Sequence, residues 1–123
     1  MAVPRFVLVA EDDSDILELV RDVLEDAGFR VAGAVGADAL MEAKRNRPDL
    51  ILLDYQMPGM DGVTIARELR ADRATQGIPI IAMTATGRAS AVCREMDADG
   101  CLGKPFEIDH LVTAVDRLVH LTH

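Results

Sequence analysis

The sequence predicts an α/β fold in which one open parallel sheet of five strands is covered by helices on both faces. Short runs of consecutive apolar residues alternate with segments whose apolar residues recur at helical spacing. The connections are short, and neither a repeat nor a low-complexity linker interrupts this alternation. A chain of 123 residues is also long enough to bury a core without disulfides or metals. We therefore expect a single domain over residues 1–123.

The first half of the chain alternates strands and helices. Gly28 ends the first helix and Pro48 the second, while Asp15 with Glu18 resembles a capping box at the start of the first. The predicted elements are the strand Phe6–Ala10, the helix Ser14–Ala27, the strand Phe29–Val35, the helix Ala37–Asn46 and the strand Leu50–Asp54. The apolar residues expected to face the sheet are Ile16, Val20, Val23, Leu24 and Ala27 in the first helix, and Leu40 and Met41 in the second.

The second half continues the same alternation. Asp61 is expected to cap the third helix, and a polar loop over Asp72–Gly77 separates it from the next strand. The remaining strands are Ile78–Met83, which ends at Thr84, and the weakly patterned Gly100–Gly103, which ends at Lys104. The helical residues expected to face the sheet are Val63, Ala66 and Leu69, then Ala89, Val92, Cys93 and Met96, and, in the last helix Glu107–Leu121, Ile108, Leu111, Val112, Val115, Leu118 and Val119.

The composition narrows the classes of partner. A formal net charge of -8 disfavours electrostatic binding to nucleic acid or to an anionic membrane and favours cations and basic protein surfaces. Aromatic residues make up only 3% of the chain, which leaves little material for stacking on bases. No apolar run is long enough to span a membrane, and Met1–Phe6 lacks the regions of a signal peptide. We expect a cytoplasmic location.

Polar residues follow the predicted strands at one edge of the sheet. Asp54 comes directly after the four apolar residues Leu50–Leu53, and the triplet Glu11-Asp12-Asp13 follows the first strand. Thr84 and Lys104 follow the fourth and fifth strands. Five such strands fit the flavodoxin-like order 2-1-3-4-5, in which the ligand crevice lies at the carboxyl ends of strands one and three. The acidic residues are therefore expected to converge there with a hydroxyl and an ammonium group.

Convergence of these carboxylates has an energetic consequence. Two carboxylates ~5 Å apart repel by about 3 kcal/mol at an effective dielectric constant near 20. A divalent cation would relieve this repulsion, and Mg²⁺ suits oxygen ligands and shares its coordination with a phosphate. With Mg²⁺ present, Asp54 becomes a candidate nucleophile that forms an acyl phosphate, whose oxygens would meet the metal, Thr84 and Lys104.

Each of these residues also has an ordinary structural interpretation. Asp13 and Asp15 are suited to capping the first helix rather than to binding a metal. Lys104 could be a solvated strand end, and Thr84 an ordinary β-branched strand residue. It is the combination at four strand ends that favours a functional site.

The cysteines and histidines carry no such pattern. Cys93 and Cys101 match no zinc or redox spacing, so we expect both to be reduced and structural. His110, His120 and His123 lie near the end of the chain without a carboxylate cluster. Solvated positions are expected for them instead of metal binding.

Four motifs together resemble the receiver domain of bacterial two-component response regulators. They are Val7–Asp13, Asp54–Gly62, Met83–Ala85 and Lys104–Phe106, and the resemblance covers essentially the whole chain. It implies that Asp54 takes a phosphoryl group from a phosphohistidine on a sensor histidine kinase or a phosphotransfer protein. It also implies that Thr84 and Lys104 bind this group. The Mg²⁺ ligands that it implies are Glu11, Asp12, Asp54 and the backbone carbonyl of Gln56.

One position departs from the family pattern. The family usually has Tyr or Phe where this chain has Cys101, and burial of that ring accompanies movement of the hydroxyl residue that corresponds to Thr84. Cys101 is too small to repeat that motion. We therefore expect the phosphorylation chemistry to be retained, while the switch at Thr84 and Cys101 does not couple in the usual way to the surface around the fourth helix.

Three functions are compatible with these residues. The leading one is a phosphoacceptor signalling domain, which is not an enzyme beyond catalysing its own phosphorylation and dephosphorylation. The second is an interaction module that works without phosphate. The third is a Mg²⁺-dependent phosphoaspartate hydrolase, which is disfavoured because such enzymes need a general acid two residues after the nucleophile, where this chain has Gln56.

Overall fold

A computed structural model describes residues 5–121. Its five parallel strands form one sheet in the order β2-β1-β3-β4-β5, so the predicted fold class and strand order are confirmed. The elements in chain order are β1 (Phe6–Ala10), α1 (Ser14–Asp26), β2 (Arg30–Ala34), α2 (Ala37–Arg45), β3 (Leu50–Asp54), α3 (Gly62–Ala71), β4 (Ile80–Thr84), α4 (Ala89–Glu95), β5 (Gly100–Gly103) and α5 (Ile108–Leu121).

The core consists of two apolar layers, one on each face of the sheet. Every residue of β1, β3 and β4 is buried, because these strands are central and helices cover both of their faces. Alternate strand residues point to opposite faces. One layer packs Leu8, Ile51 and Ile80 against α2, α3 and α4. The other packs Val9 and Leu52 against α1 and α5.

Three of the predicted inward-facing residues are in fact exposed. Met41 of α2 is 54% exposed, because the smaller Ala39 and Ala43 face the sheet in its place. Ile108 is 51% exposed in the first turn of α5. Ala27 is exposed because α1 has already ended there, at its C-cap. Helical spacing predicts that a segment has an apolar face. It does not predict which of two neighbouring apolar residues lies at the centre of that face.

The capping predictions had mixed outcomes. Asp13 is the N-cap of α1, and its Oδ1 accepts hydrogen bonds from the second and third helical N–H groups at 2.9 and 3.2 Å. The predicted capping box of Asp15 with Glu18 is therefore wrong. The prediction for α3 is confirmed, since Asp61 Oδ1 accepts from the Thr64 N–H at 2.9 Å.

The fourth strand begins later than predicted, at Ile80 rather than Ile78. The Ile78 N–H donates to the Thr75 carbonyl at 3.1 Å in a turn, and Pro79 has no N–H to donate. The second strand, Arg30–Ala34, is one residue shorter at each end than predicted.

Candidate functional site

Asp54 is the last residue of β3, and it is only 5% exposed. The chain after it turns back at once, because the Gly62 N–H donates to the Tyr55 carbonyl at 3.1 Å. A Cβ at position 62 would collide with the backbone carbonyl oxygen of Asp54. The glycine therefore allows α3 to begin directly against the end of β3, which fixes the backbone that carries Asp54.

Three carboxylates meet at this edge of the sheet. Glu11, Asp12 and Asp54 each offer an oxygen, and these oxygens lie within 4.8 Å of one another. Glu11 is 1% exposed, and its Oε2 accepts from the Asp13 N–H at 3.1 Å. Asp12 is exposed, so the cluster opens to solvent on that side. An all-oxygen set with one open side suits Mg²⁺, which retains several waters.

Lys104 lies inside the cluster. Its Nζ is 2.6 Å from Glu11 Oε1 and 3.2 Å from Asp54 Oδ1, and its side chain is 14% exposed. The alternative of a solvated strand end is therefore wrong. The Lys104 ammonium also relieves part of the repulsion for which we expected a divalent cation, because it already compensates the two buried carboxylates. The peptide bond that follows, Lys104–Pro105, is cis.

Burial and charge shift the acid–base behaviour of this cluster. Burial, followed by the negative charge of Glu11, raises the pKa of Asp54 to about 6, although Lys104 acts in the opposite direction. Burial by itself would lower the pKa of Lys104, but the hydrogen bond to Glu11 and the charges of both carboxylates outweigh it and raise that pKa. Lys104 is therefore a permanent cation at neutral pH.

The hydroxyl of Thr84 is hydrogen-bonded to the loop that follows β4. Thr84 is 1% exposed at the end of β4. Its Oγ1 donates to Thr86 Oγ1 at 3.0 Å and accepts from the Thr86 N–H at 3.1 Å. Sequence reasoning did not single out Thr86, although hydroxyl residues two apart often bond in this way. The structure thus brings Thr84 to the correct edge of the sheet with its hydroxyl turned into the following loop.

Two predicted residues lie at the margins of the site. Gln56 is exposed in the loop between β3 and α3, two residues after Asp54, and its carbonyl remains a predicted ligand. Cys101 is half-buried on β5, paired with Ala82 of β4. Cys101 packs against the core layer, and it is not one of the residues that could bind a metal ion with the carboxylates.

Sequence reasoning missed a contact between the site loop and α4. The Tyr55 hydroxyl donates to Glu95 Oε1 at 3.0 Å. This bond raises the pKa of Tyr55, with a further contribution from the charge of Glu95. The two residues are 40 positions apart, and no local pattern in the sequence indicates their pairing.

The predicted solvent exposure is confirmed for the two histidines that the structure describes. His110 and His120 are both exposed on α5. His120 Nε2 lies 3.5 Å from Asp116 Oδ1, one helical turn away. His123 lies outside the described residues.

Comparison with known proteins identifies the family. The family model described as the response regulator receiver domain matches residues 7–116. The transcriptional regulatory protein PrrA of Mycobacterium tuberculosis is 44% identical over 121 residues, which is 94% of this chain and 50% of PrrA. The chain thus spans about half the length of that relative.

Solved structures agree with this assignment. A putative response regulator from Chloroflexus aurantiacus has a TM-score of 0.90 and 34% identity, covering 96% of this chain and 99% of that one. The receiver domain of the sensor histidine kinase PA1611 from Pseudomonas aeruginosa has a TM-score of 0.89 and 29% identity over the same shares. That structure contains a magnesium ion coordinated in its active site cleft. With a family model that matches most of its length and these structural neighbours, the chain belongs to the response regulator receiver domains.

Proposed function

We propose that this receiver domain accepts a phosphoryl group on Asp54. The observation that carries the proposal is the burial of Asp54 at a strand end, 3.2 Å from the Lys104 ammonium and beside two further carboxylates. Burial of a carboxylate here is costly, and a domain with no chemistry at this edge would have no need of it. A receiver domain that works without phosphate would not require this arrangement.

The reaction uses the side chains already in place. A carboxylate oxygen of Asp54 attacks the phosphorus of a phosphohistidine, the P–O bond forms, and the P–N bond breaks as the imidazole leaves and takes up a proton. Lys104, whose Nζ is 3.2 Å from Asp54 Oδ1, would contact an oxygen of the transferred group. The Thr84 hydroxyl would reach the same group by turning away from Thr86, gaining a charge-assisted hydrogen bond.

We infer that the cluster also holds Mg²⁺. Glu11, Asp12 and Asp54 would bind it through carboxylate oxygens, together with the backbone carbonyl of Gln56. When bound, the ion supplies positive charge that offsets the negative oxygens of the phosphoryl group. The magnesium ion in the PA1611 receiver domain supports this assignment, as does the oxygen-only ligand set.

The partner that we propose is a sensor histidine kinase or a phosphotransfer protein, which would supply the phosphohistidine. We place the domain in the cytoplasm, where such donors would meet it. Among the described residues, no helix has the length and apolar character to cross a bilayer. The domain would act as a signalling module and not as a hydrolase of other substrates, because Gln56 offers no general acid beside Asp54.

A small phosphodonor tests the proposal without knowledge of the kinase. The protein is incubated with acetyl phosphate and Mg²⁺, and intact mass is measured. We expect one phosphoryl group on the parent protein and none on Asp54→Asn. Asp12→Ala should lower the yield strongly, because it removes a metal ligand without touching the acceptor. Phosphorylation of Asp54→Asn at the parent level would refute the assignment.

A further inference from the structure

Helix α4 is attached to the rest of the domain differently at its two ends. At the carboxyl end, the Tyr55 hydroxyl donates to Oε1 of Glu95, the last residue of the helix, at 3.0 Å. The backbone of Tyr55 is itself held in place, because its N–H donates to the Met83 carbonyl at 2.8 Å and its carbonyl accepts from the Gly62 N–H at 3.1 Å. Tyr55 therefore joins the end of α4 to the backbone that follows Asp54.

The turn after α4 is held from a second direction. Arg70, in the last turn of α3, donates through Nη2 to the Asp97 carbonyl at 2.9 Å and to Asp99 Oδ2 at 3.0 Å. Asp99 Oδ2 also accepts from the Ile80 N–H at 2.8 Å. Met96, the C-cap of α4, is buried. Although the bonds of Arg70 to this turn are exposed to solvent, they tie the carboxyl end of α4 to both α3 and β4.

The amino end of α4 has no comparable attachment within residues 5–121. Its N-cap, Arg88, makes no side-chain hydrogen bond, and the Arg88 N–H donates to Thr86 Oγ1 at 3.1 Å, within the same loop. Gly87 lies between these two residues with a φ of +77° and with open space where a Cβ would be. The first buried residue of the helix is Val92. The first turn of α4 is thus held mainly by the loop that precedes it.

The amino end of α4 also has room to move. A cavity of about 150 Å³ lies between Tyr55 and the first turns of the helix, and its lining residues are Tyr55, Thr86, Arg88, Ala91, Val92 and Glu95. A cavity of this size can hold several water molecules. The helix could therefore approach Tyr55 by displacing water, without the cost of repacking a filled core.

We propose that α4 tilts about a hinge at its carboxyl end, where Tyr55 bonds to Glu95, and that its amino end is the part that moves. A rearrangement of the loop Thr84–Arg88 would tilt the first turn of the helix and leave Glu95 in place. The exposed side chain of Ser90 would then shift more than that of Arg94. The inference rests on the proposed function only for the event that moves the loop, because the contacts of the hinge are present without a phosphoryl group.

The experiment measures amide hydrogen exchange in α4 of the unphosphorylated protein by NMR. Tyr55→Phe removes the hydroxyl and keeps the ring. We expect this variant to raise the exchange rates of the Met96 and Ala98 amides by about fivefold, the ratio that corresponds to the loss of one hydrogen bond, and to leave the Val92 amide unchanged. Glu95→Gln retains an acceptor oxygen and should have a smaller effect.

Thr86→Ala is the matched variant for the other end of the helix. It removes the acceptor of the Arg88 N–H and leaves Tyr55 untouched. We expect faster exchange of the Val92 amide, which donates to the Arg88 carbonyl, by about fivefold, with no change at Met96. Equal increases at both ends in either variant would show that α4 opens as one unit and would overturn the hinge. An unchanged Met96 amide in Tyr55→Phe, or an unchanged Val92 amide in Thr86→Ala, would overturn it as well.

Beryllofluoride with Mg²⁺ tests the movement itself. In the parent protein we expect larger changes in amide chemical shift over residues 89–92 than over residues 96–98, and in Tyr55→Phe the changes should extend to residues 96–98. Changes of equal size at both ends of the parent helix would overturn the hinge. If beryllofluoride changes no amide of the loop Thr84–Arg88, the phosphoacceptor proposal fails, while the exchange rates of the two variants still decide the hinge.

Discussion

Two regions of the domain are held together in different ways. One is the charged cluster of Glu11, Asp54 and Lys104, and the other is the face formed by α4 and β5. In the cluster, two buried carboxylates are joined to the partly buried Lys104 ammonium by ion pairs of 2.6 and 3.2 Å. The α4–β5 face has half-buried thiols, an edge strand that contains two glycines and a short helix with no side-chain cap. The cluster is thus fixed by strong, directional contacts, and the α4–β5 face by weaker ones.

This difference fits the roles that we propose for the two regions, phosphoryl transfer at the cluster and signalling at the α4–β5 face. Transfer of a phosphoryl group requires charges that are already in place before the reaction, so substitutions in the cluster are costly. A signalling surface requires only that a few contacts change, and regions of low local stability are suited to that. A chain can therefore lose the usual aromatic residue at Cys101 while keeping the complete cluster.

Lys104→Met is expected to have the largest effect on the free energy of unfolding, and it tests whether the cluster is held together by its charges. Removing the ammonium leaves Glu11 and Asp54 buried without their cation, and breaking a buried ion pair from one side costs about 3 to 5 kcal/mol. We expect a loss of this size in the free energy of unfolding, measured by urea denaturation in the presence of a chelator.

Lys44→Met is the matched control for that variant. Lys44 is exposed and lies 3.6 Å from Asp72, so its loss should cost at most ~1 kcal/mol. Added Mg²⁺ should also stabilise Lys104→Met more than the parent, because the ion replaces the missing charge. Equal costs for the two lysines would show that the cluster is not held by its charges.

A second effect is expected from Asp54→Asn in metal-free protein. Folding raises the pKa of Asp54 from 3.8 to about 6, which corresponds to about 3 kcal/mol. Between these two values the folded state binds more protons than the unfolded state, so stability falls as pH rises. The parent therefore has this stability below the unfolded pKa and loses it as pH rises through the folded pKa.

Asparagine cannot ionise, so Asp54→Asn should escape this loss. We expect it to unfold at higher urea concentration than the parent near neutral pH, by up to about 3 kcal/mol, and to match the parent near pH 4. Asp38→Asn, at an exposed position on α2, should change little at either pH. A variant that is less stable than the parent at neutral pH would contradict the cost assigned to the buried charge.

Most of the fold could be predicted because its signals are local. The central strands are uninterrupted apolar runs, and the alternation of strands with helices leaves few topologies. Asp54 was identifiable because a carboxylate directly after Leu50–Leu53 falls at the carboxyl end of a strand. The capping role of Asp61 followed from the same kind of short-range pattern.

The strand order predicted that Glu11, Asp54 and Lys104 meet at one edge of the sheet, but it did not predict which of their side chains bond to each other. Lys104 and Glu11 are 93 positions apart, and their ion pair depends on rotamers that only the packed structure selects. The pairing of Tyr55 with Glu95 has the same origin. The position of a residue after a strand indicates which edge of the sheet it reaches, but not which side chain it pairs with there.

The smallest expected effect concerns how far the response to phosphorylation extends from the cluster toward the α4–β5 face. The Thr84 hydroxyl accepts from the Thr86 N–H, and Thr86 Oγ1 accepts from the Arg88 N–H, each at 3.1 Å. If the Thr84 hydroxyl turned toward a phosphoryl group, its hydrogen bond from the Thr86 N–H would break. The loop segment that the second hydrogen bond holds would then be less restrained. The amides of β5 lie in the ladder with β4, and no large aromatic side chain at position 101 follows Thr84 inward.

Amide hydrogen exchange with Mg²⁺, with and without beryllofluoride as a phosphoryl mimic, measures this extent. We expect the change in protection over Thr84–Arg88 to exceed that over Gly100–Gly103 by about tenfold in rate, or about 1.4 kcal/mol. Thr84→Val should remove most of the change, because valine cannot donate the new hydrogen bond, while Asp54→Asn should show none. Equal changes in the two segments would mean that Cys101 or Leu102 transmits the response. The α4–β5 face would then be coupled to the cluster as tightly as an aromatic switch would couple it, despite its weaker contacts.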